Sequence, residues 1–182
     1  ANFFLNKNLK NFFQVGSSIE YGKSRSPQKE NKKNLQETYS NYGNAKLLST
    51  KFLLKLKKNY DFPATILRLY LVYGPKQDVN RLVPFTIMNA LRKNKFNCSA
   101  GKQFRDFMYI DDLINAIVKT LKNKKTNGEI INVGSGNPIS VKKLILKICK
   151  LAKGGQPQFG KVSLRKDEIL KLNLNLNKIK KI

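Results

Sequence analysis

The sequence predicts an α/β fold built on a parallel sheet, on three observations. Short apolar runs, FFQVG (12–16), ATILRLYLVYG (64–74) and GEIINVGSG (128–136), each finish at glycine. Between them lie segments whose apolar residues recur at three- and four-residue spacing, the period of a helix with one buried face. Strands that alternate with helices pair in parallel, with the helices covering the sheet.

Each element follows from its residues. Positions 1–11 read as the end of a helix, and 12–16 as a buried strand. The polar stretch KSRSPQKENKKNLQET (23–38) reads as a loop. From Tyr42 onward Ala45, Leu47, Leu48, Phe52, Leu53 and Leu56 keep helical spacing, so a helix runs to about Asn59. Ala64 to Gly74 is a second strand, stopped by Gly74-Pro75. Leu82 to Lys93 is the next helix. QFRDFMYIDDLINAIVKTLK gives a short extended piece and then a helix, with Asp111 or Asp112 near its N-terminus. Residues 128–136 hold the third strand. Ser140 introduces a helix over Ile139 to Leu151, and the tail from Phe159 is irregular, then weakly helical. Three strands make a small sheet.

Composition narrows the chemistry. With 182 residues and 41% hydrophobic content the chain can bury a core as one domain. No apolar run is long enough for a membrane span, and Ala1 to Lys10 lacks the order of a signal peptide. Two lone cysteines, Cys98 and Cys149, and no histidine argue against a structural zinc site or a disulfide framework, and for a cytoplasmic location. Serine–histidine and cysteine–histidine nucleophilic catalysis are excluded within this chain. Proton carriers must come from Tyr, Lys, Ser, Cys, Asp or Glu.

Net charge is +25, from 36 basic against 11 acidic residues. Such a balance can mean a nucleic-acid or anionic-membrane partner. Here the lysines are spread through helices and loops, with no aromatic-interleaved stripe. They read as a solvated surface, with no nucleic acid and no membrane as partner, though the field still draws an anionic substrate.

Tyr42 and Lys46, in YSNYGNAKLLSTKF, stand four apart on a predicted helix and share one face. A free tyrosine titrates near about 10, too high for an efficient base. A neighbouring ammonium favours the phenolate. Ser17, at the carboxyl end of a strand where open α/β sheets place ligands, can hydrogen-bond the same substrate oxygen. Alone, a YxxxK in a lysine-rich chain is weak support.

Taken together, the motifs resemble the extended short-chain dehydrogenase/reductase family: the NAD(P)-dependent nucleotide-sugar epimerases, dehydratases and ketoreductases. VGSSIEYG (15–22) is similar to the strand and turn that carry the family's catalytic Ser or Thr, and Tyr42-x-x-x-Lys46 follows Ser17 by twenty-five positions. ILRLYLVYGP, RLVP, GKQFRDFMYIDDLINAI, EIINVGSG and GKVSLRKDEI resemble its later motifs, in order. The resemblance implies a partial Rossmann-type doubly wound parallel sheet, with a smaller substrate-binding region formed by the C-terminal half. Residues 1–75 would be the C-terminal part of the dinucleotide-binding region. Residues 76–182 would mainly bind the nucleotide-sugar, with a strand near 129–134 expected to return to the main sheet.

The resemblance also assigns roles. Ser17 and Tyr42 would hold the reacting hydroxyl, with Tyr42 exchanging its proton, and Lys46 would bind the nicotinamide ribose and tune Tyr42. Tyr70 would lie against the nicotinamide, or else pack in the core. Arg81 and Leu82 would meet the nucleotide-sugar, and Ser99 would lie near the base. Arg105 and Arg165 would hold the diphosphate with their guanidinium forks, and Glu168 would reach the ribose. For Arg105 the alternative is an ion pair with Asp106 or Asp111; for Arg165 it is a solvated surface arginine. The implied cofactor is NAD or NADP, the substrate a nucleotide-diphosphate sugar, and a homodimer is one option for the complete enzyme.

Departures shape the reaction. Where the family's 4,6-dehydratases carry Asp-Glu after the catalytic threonine, this chain has Ser18 and Ile19, and Glu20 comes one place late on what reads as a strand-like turn. That disfavours a dehydratase and leaves a 4-epimerase or 4-ketoreductase, with a non-catalytic basic binding module as the rival. Leu71 replaces the asparagine of many 4-epimerases. No glycine-rich phosphate turn follows a strand in these residues. The expectation is therefore a partial chain, the C-terminal half or more of such an enzyme, inactive by itself.

Overall fold

The computed structural model describes residues 9–22, 24–32, 35, 38, 40–164 and 168–182. In chain order the elements begin with β1 (Phe12–Ser17), a 3-10 turn (Ser18–Tyr21), α1 (Asn41–Tyr60), β2 (Ala64–Leu69) and β3 (Leu71–Tyr73). Then come α2 (Leu82–Leu91), β4 (Lys95–Cys98), β5 (Phe104–Arg105), β6 (Phe107–Tyr109) and α3 (Ile110–Leu121). After a 3-10 turn (Lys124–Thr126) come β7 (Ile130–Val133), β8 (Ile139–Ser140), α4 (Val141–Leu151) and β9 (Gln156–Phe159), and a 3-10 turn (Ile179–Lys181) lies near the C-terminus.

A three-stranded parallel sheet in the order β1-β2-β7 forms the centre. Its register runs from Phe12 opposite Ala64 to Ser17 opposite Leu69, and from Ile66 opposite Ile130 to Leu69 opposite Val133. β2 is buried on both faces, which is why ATILRL has no polar alternation. Its side chains part by the two-residue period of a strand. Ala64 and Ile66 join Leu53 and Leu56 of α1, together with Phe62 and Ile130. Leu67 joins Met108, Leu113, Ile131 and Val133 on the opposite face. A third cluster, Phe96, Cys98, Val141 and Ile145, lies under α4 where β4 pairs in parallel with β9.

Two elements differ from the sequence reading. The run 64–74 is two strands, because the pairing partner changes at Tyr70. The Tyr70 amide still donates to the Val133 carbonyl at 3.3 Å, whereas the Leu71 amide donates to Asp106 O at 3.2 Å. From there β3 pairs with β6, leaving the main sheet. The β4–β9 pair was not read from sequence at all. Of the helix end expected over 1–11, residues 1–8 lie outside the described residues, and 9–11 form no regular element.

The last residues fold back over the loop that follows β1. Gln28 N donates to Asn173 O at 3.0 Å and Asn175 N to Gln28 O at 2.9 Å. The Ser26 hydroxyl donates to Lys171 O at 2.8 Å. Glu129, at the start of β7, receives Lys32 from the loop at 2.5 Å and Lys178 from the tail at 2.8 Å. This lacing holds Ser26 and Gln28 against the tail and Lys32 against the start of β7.

Candidate active site

Ser17 ends β1 and caps the 3-10 turn. Its Oγ accepts the Ile19 amide at 3.4 Å, so the hydroxyl's own proton remains available to another acceptor. Its backbone N–H donates to Glu20 Oε1 at 2.8 Å. Together these bonds make a capping box, Ser-x-x-Glu. The turn is therefore not strand-like, and Glu20 points into the molecule rather than away from it. There its Oε2 accepts from the Thr50 hydroxyl at 2.7 Å and from Arg68 Nε at 3.1 Å.

Arg68 is fully buried, and its ion pair with Glu20, Nη2 to Oε2 at 3.0 Å, keeps that charge tolerable inside. The Nη2 atom lies off the line of a true hydrogen bond and has no acceptor of its own. The guanidinium also lies 4.3 Å over the Tyr21 ring, a cation–π contact. The Tyr21 hydroxyl donates to Asn132 Oδ1 on β7 at 2.5 Å, and burial pushes its phenol above the usual range.

Ser40 starts α1, its hydroxyl accepting the Gly43 amide at 3.0 Å. A Cβ on Gly43 would stand 2.2 Å from Thr38 Oγ1, so glycine beside Tyr42 lets the loop pass the first turn closely. Tyr42 itself is 58% exposed. Four residues on, the Lys46 ammonium lies 5.8 Å from the Tyr42 ring centroid and donates to the Val15 carbonyl of β1 at 2.9 Å. Lys46 thus reaches the strand two residues before Ser17, with Tyr42 on the same helical stripe.

The remaining sequence-derived residues fall into two groups. Tyr70, Arg81 and Leu82 line one cleft of about 520 Å³ with Leu71, Gln77 and Phe107. Tyr70 is buried, its hydroxyl on Gln28 Oε1, and burial drives its phenol far above the usual range. Any role against a cofactor therefore falls to its ring, not its hydroxyl. The second group is separate: Arg105 is held by Glu168 in an ion pair, and its Nη1 donates to Phe104 O at 2.7 Å. The partner of Arg105 is thus neither Asp106 nor Asp111. Asp106 instead receives the amides of Ser135 and Gly136, both at 2.7 Å. Ser99 Oγ is occupied by the Gly101 amide and Gln103 Nε2, each at 3.3 Å. Arg165 lies outside the described residues.

Sequence reasoning missed Glu20, Thr50 and Arg68 as parts of this site. The capping-box spacing Ser17 to Glu20 was the available signal. Nothing local marks Thr50 or Arg68, since their link to Glu20 spans 30 and 48 positions.

A sequence model of the NAD dependent epimerase/dehydratase family matches residues 2–134. The CDP-abequose synthase of Salmonella muenchen is 30% identical over 146 residues, 76% of this chain and 50% of that protein. The dTDP-D-glucose 4,6-dehydratase of Homo sapiens is 30% identical over 147 residues, 80% of this chain and 41% of that protein. Among solved structures, the UDP-glucuronic acid 4-epimerase of Bacillus cereus, in complex with UDP-glucuronic acid and NAD, superposes with a TM-score of 0.84 at 27% identity. That match covers 99% of this chain and 57% of that one. The chain thus spans about half the length of the curated relatives it matches.

Proposed function

The chain belongs to the NAD dependent epimerase/dehydratase family, and from that premise we propose that it carries the proton-transfer half of an NAD- or NADP-dependent nucleotide-sugar 4-epimerase or 4-ketoreductase. One observation carries the reading: the Lys46 ammonium is seated on the last part of β1, against the strand that ends in Ser17. Ser17 stands at the carboxyl end of its strand, the end at which parallel α/β folds bind ligands, and Lys46 brings the helix that carries Tyr42 to that strand.

The roles follow from the chemistry of each group. Tyr42, open to solvent, removes the proton of the sugar C4 hydroxyl in oxidation and returns it in reduction. Ser17 donates to the same oxygen, because its Oγ already accepts from Ile19. Lys46 places a positive charge 5.8 Å from the centroid of the Tyr42 ring, and its ammonium suits a ribose hydroxyl as second partner. The exposed Tyr42 ring and this ammonium fit the nicotinamide ribose end of a dinucleotide. When bound, NAD or NADP supplies the hydride acceptor and donor at C4. Arg81 and Leu82 in the cleft, and Arg105 with Glu168, receive the nucleotide-diphosphate part; Arg105 must turn from Glu168 to do so.

Ser18 and Ile19 favour simple oxidation and reduction at C4 over water elimination, because neither supplies the carboxyl acid or base that elimination needs. The test uses the intact protein that contains these residues, incubated with NAD or NADP and CDP-, UDP- and dTDP-hexoses. NMR of the sugar reports C4 configuration and any loss of water. Inversion or reduction at C4 is the expected outcome. A 4-keto-6-deoxy product would replace this reading with the dehydratase one.

A further inference from the structure

Glu20 has no part in the chemistry just described, yet two of its bonds run to β1 and α1, the elements that carry Ser17, Tyr42 and Lys46. Its carboxylate has no exposed surface. Oε1 accepts the backbone amide of Ser17 at 2.8 Å, and Oε2 accepts the hydroxyl of Thr50 at 2.7 Å. Thr50 stands four residues after Lys46 and eight after Tyr42, on the same stripe of α1. One carboxylate therefore connects the strand-end serine to the tyrosine–lysine helix. The geometry points to Glu20 as a positioning residue that sets the Ser17 turn against α1, through Ser17 N on one oxygen and Thr50 on the other. This inference rests on the reading that Ser17, Tyr42 and Lys46 act at the sugar oxygen.

The residue type follows from the surroundings. Three donors converge on the carboxylate: an amide N–H, a hydroxyl and a guanidinium. A glutamine would turn its NH2 toward at least one of them, leaving a buried donor facing a donor. Arg68 supplies a countercharge to the carboxylate, Nη2 to Oε2 at 3.0 Å. Gly16 leaves the space: a Cβ there would lie 2.6 Å from Glu20 Oε1. Serine, glutamate, threonine and arginine thus form a fixed brace, and error in its length transfers to the substrate oxygen.

The intact protein, with its cofactor and the nucleotide-sugar it turns over, provides the test. Thr50→Val keeps the shape of the buried side chain and removes the hydroxyl. It is expected to lower kcat by about tenfold and to leave KM within about twofold, the split expected when only transition-state geometry is lost. Thr50→Ser restores the hydroxyl and is expected to restore kcat. Glu20→Gln is expected to lose more, but it also strands Arg68 without countercharge, so the Thr50 pair decides if that variant does not fold. Thermal unfolding is read alongside. A Thr50→Val protein of lowered melting temperature with wild-type kcat makes Glu20 structural only, and overturns the inference. Equal loss in Thr50→Val and Thr50→Ser also overturns it, because the hydroxyl is then not the link. Absence of turnover by the wild type on every nucleotide-sugar is a different failure: it removes the catalytic reading itself, and this inference with it.

Discussion

Lys46 donates from its ammonium to the carbonyl of Val15 at 2.9 Å, tying the helix that carries Tyr42 to the strand that ends at Ser17. This contact joins two motifs separated by a polar loop. Lys46→Met is expected to lower kcat/KM in the intact protein by about a hundredfold or more, since both the charge beside Tyr42 and the tie to β1 are lost. Circular dichroism and steady-state kinetics check it; an active, folded Lys46→Met protein would remove Lys46 from the site.

Gly16 faces the Glu20 carboxylate, and an added Cβ would stand 2.6 Å from Oε1 and 3.2 Å from the Leu67 carbonyl. Gly16→Ala is therefore expected to destabilise the fold by about 1–3 kcal/mol, the range for overpacking a core. The urea midpoint should fall accordingly. An unchanged midpoint would mean that the Glu20 brace is not as closely packed as described.

How much of this was legible in the sequence depends on the range of the interaction. The helix read from Tyr42 to about Asn59 is Asn41–Tyr60, because its apolar spacing is local and strong. The break at Tyr70 was invisible: the apolar run continues through it, and the change of partner depends on Val133 and Asp106. β4 has buried Phe96 and Cys98 alternating with exposed Lys95 and Asn97, but four residues with a partner some sixty positions on give little signal. Ser17, Tyr42 and Lys46 are candidates from motif and spacing, and the structure adds the bond from Lys46 to Val15 O. Glu20 departs from the sequence reading because its turn is a 3-10 turn and not extended, which swings its side chain inward. Arg68 carried no local mark of its buried partner.

Arg105 is paired with Glu168, and burial lowers its guanidinium's proton affinity without removing the charge. In the intact protein Arg105→Ala is expected to raise KM for the nucleotide-sugar by about ten- to a hundredfold, the worth of a charge-assisted contact, with a small effect on kcat. Unchanged affinity in a binding titration would exclude Arg105 from the diphosphate contact.

Glu129 gives a pH dependence of stability. Burial raises its carboxyl, but the hydrogen bonds from Lys178 and Lys32 outweigh burial and hold it below the usual carboxylate range. A depressed folded-state value means that its contribution is fully present above the ordinary carboxylate range, and is lost as pH falls through the folded value. Glu129→Gln should therefore melt lower than wild type at neutral pH, with the gap closing in acid. A gap that persists in acid would show that the loss is steric.

The central claim is that Tyr42 moves the proton at sugar C4. Its most direct test is Tyr42→Phe in the intact protein, with turnover and binding measured on the same preparation. The expected result is a loss in kcat of about 10²- to 10⁴-fold, the worth of a positioned acid or base, with cofactor and nucleotide-sugar affinities retained. A Tyr42→Phe protein that turns over at the wild-type rate would contradict the account.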